Sequence, residues 1–468
     1  MQDNQAVTPV PHRSLFTTRK IVHMSMLVFA FLLPFLTWIQ AAGCAVLALL
    51  FNLFLLPRLQ VDLSKSAGVA GADLPRPARA DAEIRAYPAG TWTGIVLYPI
   101  SVLLLILIYR HHLHIAAAAW AILALGDGMA SIVGEGLRGP SLPWNAEKRW
   151  AGFVGFVVAG TAGAYVLTRW VNPSLPTDKV LVVSALAALV GALVETVPIR
   201  LDDNVSVPLV SGAFLFCAYL VESSALDSNL PFLSRRILLA VVINAVFALV
   251  ALGLRTVSRS GAVAGFVLGV AVYLGYGYKS FLILLSFFLL GSLATRLGYA
   301  AKAVRGVAER RRGARSWREA LANTLAGAFF AVLVISTNQE AAFLVALVAV
   351  FAEAAGDTVS SEIGQWLSQR AYLITSFKPV PAGENGGVSF GGSVAGLLAC
   401  GLVVGLGYGL GLCGKGSAAI ALGAAIAGNV LDSLLGATIE RRGLVTNGFV
   451  NFAGTSVAGA LALAYTLL

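Results

Sequence analysis

Apolar residues run through this 468-residue chain in blocks of about twenty, far longer than the four to eight residues of a buried strand. Segmenting on run length predicts helices near 21–40, 42–57, 93–109, 114–135, 150–169, 179–199 and 205–222. A second group is predicted near 236–254, 260–275, 280–298, 320–336, 341–357, 388–411, 416–437 and 447–467. Each approaches the ~20 residues that cross a bilayer, so the pattern predicts an all-α, polytopic helical membrane protein of about fifteen transmembrane helices. Residues 24–42 have the look of a signal-peptide core. A second apolar run follows at once, and an uncleaved first helix is expected. Two polar stretches break the series, 58–91 and 299–319, the latter carrying Lys302, Arg305, Arg310, Arg311, Arg312, Arg315 and Arg318.

Composition sharpens this picture. Hydrophobic residues make up 58% of the chain and charged residues 12%, about half the charge of a soluble domain. That excludes a cytosolic enzyme, a disordered chain and a secreted disulfide scaffold. The net charge of +10 reads as the positive-inside bias of membrane loops rather than as a nucleic-acid surface. Arg13, Arg19 and Lys20 place the N-terminus in the cytoplasm, and counting crossings then puts the 299–319 loop on the same side. Cys44, Cys217, Cys400 and Cys413 lack metal-ligand spacing and are expected to be small core residues.

The chain repeats itself at an offset of 230. Gly126-Asp127-Gly128-Met129-Ala130-Ser131-Ile132-Val133-Gly134 recurs as Gly356-Asp357-Thr358-Val359-Ser360-Ser361-Glu362-Ile363-Gly364. The same offset pairs Lys148 with Lys378 and Asp202 with Asp432. The expectation is two parallel-repeat halves, 1–230 and 231–468, each with one site at the cytoplasmic end of its Asp-bearing helix.

An ionisable group inside an apolar run is costly and points to function. Asp127 and Asp357 are candidate Mg²⁺ ligands, since that ion takes oxygen donors and stays close to phosphates. Gly126, Gly128, Gly134, Gly356 and Gly364 would let backbone N–H groups approach an anion, beside the hydroxyls of Ser131, Thr358 and Ser361. Lys148, Arg149 and Lys378 would offset phosphate charge. Downstream, Glu195, Asp203 and Asn204 would complete the first site, and Asn429 and Asp432 the second, with Asp203 and Asp432 as further metal ligands. The run through Gly383, Asn385, Gly386 and Gly387 would wrap a phosphate. Two patterns are set aside: Gly409–Lys415 approximates a P-loop but lacks its Ser or Thr and any strand, and is read as helix-packing glycines. His111, His112 and His114 are read as residues of the outer interface.

These residues suit phosphoryl or nucleotidyl transfer from a soluble nucleotide to a lipid-embedded acceptor, chemistry that rests on positioning and charge. At this point a resemblance becomes specific. Residues 19–222 resemble the phytol kinase and dolichol kinase group, themselves similar to phosphatidate cytidylyltransferase, through Arg19-Lys20-Ile21-Val22-His23, Gly126–Ala130, Lys148, Gly152, Glu195, Asp203-Asn204 and Pro208. Residues 255–468 resemble a second integral membrane family that includes plant phytyl-phosphate kinase, through Gly356–Glu362, Lys378-Pro379-Val380, Gly386–Ser389 and Asp432–Gly436.

The resemblance implies a fused pathway. The first half would phosphorylate an isoprenoid alcohol such as phytol with CTP, and the second would convert the monophosphate to the diphosphate used in tocopherol or phylloquinone synthesis. Arg19, Lys20, His23 and Glu362 become candidates on the substrate side, and Mg²⁺ and CTP the implied cofactors. The expected partners are the isoprenoid alcohol and its monophosphate, a nucleoside triphosphate and membrane lipids. Two alternatives stand beside it: a CTP-dependent cytidylyltransferase making a CDP-lipid, and a transporter or lipid carrier.

Overall fold

The computed structural model describes residues 18–56, 89–137, 139–198, 201–309 and 313–467. Arg13, Arg310, Arg311, Arg312 and most of the 58–91 stretch lie outside the described residues, as do the side chains of Arg19 and Lys20. Among the described residues, twelve helices are long and apolar enough to cross a membrane, and Ile21–Phe35 and Gly94–Ile108 are shorter apolar helices. The chain divides into two compact units, Met1–Tyr219 and Leu220–Leu468.

In the first unit, α1 (Thr18–Ser25) runs into the 3₁₀ stretch Met26–Phe35. Thr37 then starts α2 (Trp38–Leu55) with a capping box in which Gln40 bonds back to it. There follow α3 (Ala89–Ile108), α4 (Leu113–Gly136), α5 (Trp150–Val171), α6 (Thr177–Thr196) and α7 (Asp203–Tyr219). The core gathers on α4, whose Ala116–Ala119 and Ile122–Ala124 are buried against Phe156 and Ala188. The alanines at these positions let helix backbones approach closely, which is how helices pack where the hydrophobic effect offers little.

The second unit comprises α8 (Ser223–Gly253), α9 (Arg259–Tyr276), α10 (Tyr278–Arg296), the short α11 (Tyr299–Val304) and α12 (Trp317–Ser336). It continues with α13 (Glu340–Leu367), α14 (Phe390–Gly409), α15 (Lys415–Glu440) and α16 (Asn447–Leu467). Here α13 is the central helix, with every residue from Ala342 to Gly356 buried. The apolar run near 341–357 is extended by another ten residues, so Asp357 lies inside a helix and not at its end.

Each Asp-bearing helix is followed by a small antiparallel sheet where the sequence reading expected plain loops. Strands β1 (Ser141–Leu142) and β2 (Asn145–Arg149) pair after α4. After α13, β3 (Arg370–Leu373) pairs with both β4 (Pro379–Pro381) and β5 (Gly387–Val388). Central helix, sheet and three helices therefore recur in order in both units. The second sheet is longer, and the fixed offset fails inside it. Lys148 stands two residues before α5, whereas Lys378 stands twelve before α14. By element order Asp432, near the end of α15, matches Glu195, near the end of α6, and not Asp202.

The Gly409–Lys415 glycines do not pack helices. Nothing lies within 4 Å of a Cβ built at Gly409, Gly411 or Gly414, and Gly411 takes φ +73° in the turn between α14 and α15. Cys217, Cys400 and Cys413 are buried as expected, while Cys44 is exposed.

Candidate functional site

In the first unit three carboxylates converge from three elements. Asp127 comes from a π-helical turn in α4, Glu195 from the last turn of α6 and Asp203 from the first residue of α7. One oxygen of each lies within 4.8 Å of the others. Like charges this close repel strongly, so the arrangement calls for a cation. Lys148, carried in on β2, supplies one by donating to Glu195. Burial opposes the charge on Lys148, but Glu195, Asp203 and Asp127 outweigh it and hold the amine above its ordinary pKa. His23 approaches Asp127 at 3.7 Å, and its Nε2 also lies 3.4 Å from the Leu123 carbonyl.

A divalent ion fits this donor set. Beyond the three carboxylates, the Asn204 side-chain oxygen is buried with no hydrogen-bond partner. Asp202 takes a different part: its carboxylate accepts from the Asn204 backbone N–H at 3.0 Å and from the Asn204 amide at 2.7 Å, ordering the start of α7. Arg149 is exposed at the end of β2, and Ser131 is half-buried on α4.

The glycines expected to cradle phosphate here do another job. Gly126, Gly128 and Gly134 all lie within helical backbone. A Cβ at Gly126 would sit 2.7 Å from the Phe156 ring, and one at Gly128 would sit 2.6 Å from Met24 Cγ. At Gly134 it would meet the Gly152 Cα at 3.4 Å. These are close-approach positions between helices.

In the second unit a polar cavity of about 340 Å³ opens beside α13. Asp357, Thr358, Ser361, Glu362 and Gly364 line it from α13, and Asp432 from α15. The Gly-rich loop lines it through Gly383, Asn385, Gly386 and Gly387, and Gly383 and Gly386 take φ of +88° and +72°, which favour glycine. An ion pair at 3.4 Å between Glu384 and Arg441 ties this loop to the end of α15. Asn429 lies against Gly356, its amide nitrogen 2.6 Å from where a Cβ would stand, and neither residue lines the cavity. Lys378 does not line it either; it is exposed on the turn between β3 and β4. The expected pairing of Lys378 with Asp357 is absent because the longer sheet carries the lysine outward.

Residues 242–459 match the family described as integral membrane protein DUF92. Over 232 residues the chain is 34% identical to the membrane protein MJ0933 of Methanocaldococcus jannaschii, covering 48% of this chain and 92% of that protein. The chain belongs to this integral membrane family. It is also 35% identical over 213 residues to Protein VTE6, chloroplastic, of Arabidopsis thaliana, covering 44% of this chain and 64% of that protein. The probable phytol kinase 3, chloroplastic, of Glycine max is 36% identical over 126 residues, covering 25% of this chain and 39% of that protein. The chain thus spans less than two thirds of either plant protein. No solved structure matches it.

Within the DUF92-matched unit, three residues that the sequence reading passed over shape the site. Glu353, one turn before Asp357, is 1% exposed and has both carboxylate oxygens unpartnered; Asp432 Oδ2 is unpartnered too. A Cβ on Gly454 would lie 2.6 Å from Glu353 Oε1 and 3.4 Å from Asp432 Cβ, so bare glycine makes room where the two acids meet. Buried, unpaired acidic oxygens of this kind fit a hard divalent cation.

Lys302, expected to be a solvated loop cation, is instead fully buried and donates to Glu362 and to the carbonyls of Ala294 and Thr295. Arg315 lines the cavity with its guanidinium over the Phe287 ring at 5.1 Å. Burial lowers its pKa, opposed by Glu319, Glu309, Glu362 and Asp357. Their signal in the sequence was weak: Glu353 sits in mid-run without a repeat partner, and Lys302 and Arg315 sit among other cations.

Proposed function

We propose that this chain is a membrane phosphotransferase acting on isoprenoid substrates. Its first unit phosphorylates an isoprenoid alcohol and its second converts the monophosphate to the diphosphate. The donor is a nucleoside triphosphate, CTP by resemblance to the phytol kinase group. The observation that carries this reading is the convergence of Asp127, Glu195 and Asp203 with Lys148, residues on which the sequence resemblance to that group rests. The name of the Glycine max relative supports it.

Asp127, Glu195 and Asp203 would hold Mg²⁺ in the first unit, and Asp357 and Asp432, which line the polar cavity, in the second. The ion, when bound, neutralises charge on the donor's phosphate oxygens. Lys148 fixes Glu195 and adds positive charge beside the donor. The alcohol oxygen attacks the terminal phosphorus as the bond to the leaving diphosphate breaks. A carboxylate of the cluster, Glu195 or Asp203, takes the hydroxyl proton. The second unit needs no such base, because its acceptor is already an anion. Arg315 and the Gly383–Gly387 loop bind phosphate there. The loop cations support a cytoplasmic polar end for each unit.

Purified protein given phytol and labelled CTP or ATP tests the proposal. Monophosphate appearing first and diphosphate second is the expected course. A product heavier by a CMP unit means nucleotidyl transfer instead, and substrate movement across vesicles without nucleotide means transport.

A further inference from the structure

The second unit holds a second cavity, apolar, of about 70 Å³, among α8, α9, α10 and α12. Phe247, Phe281, Leu284, Phe287 and Phe288 line it. Its polar members are few. The Asn244 amide is used by the Ala240 carbonyl at 2.8 Å, and Thr324, Arg315 and Glu319 stand at the remaining polar positions. Arg315 and Glu319 also line the 340 Å³ polar cavity beside Asp357, so the two spaces adjoin at this pair of residues. No carboxylate among the described residues comes within salt-bridge distance of that guanidinium, which rests over the Phe287 ring.

A polar space joined to an apolar one through a cation suits an amphiphile with an anionic head. Gly265, with nothing within 4 Å of a built Cβ, lines the apolar cavity on α9. Val263 and Val267 beside it are 66% and 59% exposed, so a longer chain leaving here meets lipid.

We propose that the apolar cavity is the tail subsite for an isoprenoid monophosphate, whose phosphate is held by Arg315 at the junction with the polar cavity. This rests on the phosphotransferase reading of the second unit and adds where the acceptor lies and how its length is sensed.

The test uses the full chain in lipid nanodiscs. Gly265→Leu places a branched side chain at the open mouth of the subsite, and Gly401→Leu, at an equally open glycine on α14, is the matched control. The KM for a twenty-carbon monophosphate rises roughly tenfold or more in Gly265→Leu, the scale of an obstructed apolar pocket, while KM for a five-carbon monophosphate shifts little. Gly401→Leu changes neither. Separately, a photoreactive isoprenoid monophosphate labels α8–α10 of the wild-type protein. Equal loss for both acceptors in Gly265→Leu, or label found only outside these helices, overturns the subsite. Labelling needs no turnover, so wild-type protein that labels there without making diphosphate supports the subsite and counts against the kinase reading alone.

Discussion

The ammonium of Lys302 donates to the Glu362 carboxylate with both side chains buried, locking α11 to the central helix α13. The same amine caps the last carbonyls of α10, from Ala294 and Thr295. Removing one partner of a buried pair strands the other charge, at roughly 3–5 kcal/mol. Lys302→Met should therefore lower the unfolding temperature of the purified protein sharply. Lys302→Met combined with Glu362→Leu should recover much of that loss. A single mutant as stable as wild type would show that the pair contributes nothing.

Gly126 and Phe156 make the corresponding close contact in the first unit, where α4 and α5 touch. A side chain at Gly126 has no space unless the ring moves, and overpacking costs about 1–3 kcal/mol. Gly126→Val should lower thermal stability together with activity. The companion change Phe156→Leu, which opens room, should restore part of the stability. A phosphate-cradling glycine would behave otherwise: KM for nucleotide would rise at unchanged stability.

Run length alone carried the helices, because a span of lipid thickness demands some twenty apolar residues in a row. It missed the small sheets, since 141–149 and 370–388 are short and polar. Glycine between helices and glycine around an anion look identical in sequence, so the pattern alone points Gly126 and Gly134 at phosphate although both serve packing. The loop Gly383–Gly387 carries the same pattern and lines the polar cavity. Asp127, Asp357 and Asp432 stood out as charges in apolar surroundings. Glu353 is equally out of place, but the repeat offered it no partner. Lys302 looked like any flanking lysine until the fold buried it.

Asp127 and Asp357 belong to separate units, Asp127 in the carboxylate trio and Asp357 in the polar cavity with Asp432. Asp127→Asn keeps size and removes one anionic ligand from the 4.8 Å cluster. It should cut alcohol phosphorylation by roughly 10²–10³-fold, the scale of losing one electrostatic element of a preorganised site, while sparing monophosphate phosphorylation. Asp357→Asn should do the reverse. Separate assays with phytol and with phytyl monophosphate measure this. Loss of both steps in either mutant would contradict two independent sites.

Lys148 and Lys378 provide the sharpest contrast between sequence alignment and geometry. The fixed offset treats them as equivalents, yet Lys148 is bonded to Glu195 inside the acidic cluster and Lys378 is exposed on a turn. Lys148→Met removes the cation that three carboxylates share and leaves Glu195 buried without its partner. Alcohol phosphorylation should fall by at least about 10²-fold, and Lys148→Arg should rescue only part, because its fork does not reproduce a point charge. Because the folded pKa of Lys148 is raised, its charge is present at neutral pH and persists past the ordinary lysine value of about 10.4. Its contribution to stability is complete below that value and is lost only as pH climbs through the raised one. Lys378→Ala should leave the rate of monophosphate phosphorylation within about twofold of wild type, as expected for a solvated surface charge. A large loss in Lys378→Ala would mean that the β3–β4 turn folds over the polar cavity when nucleotide binds.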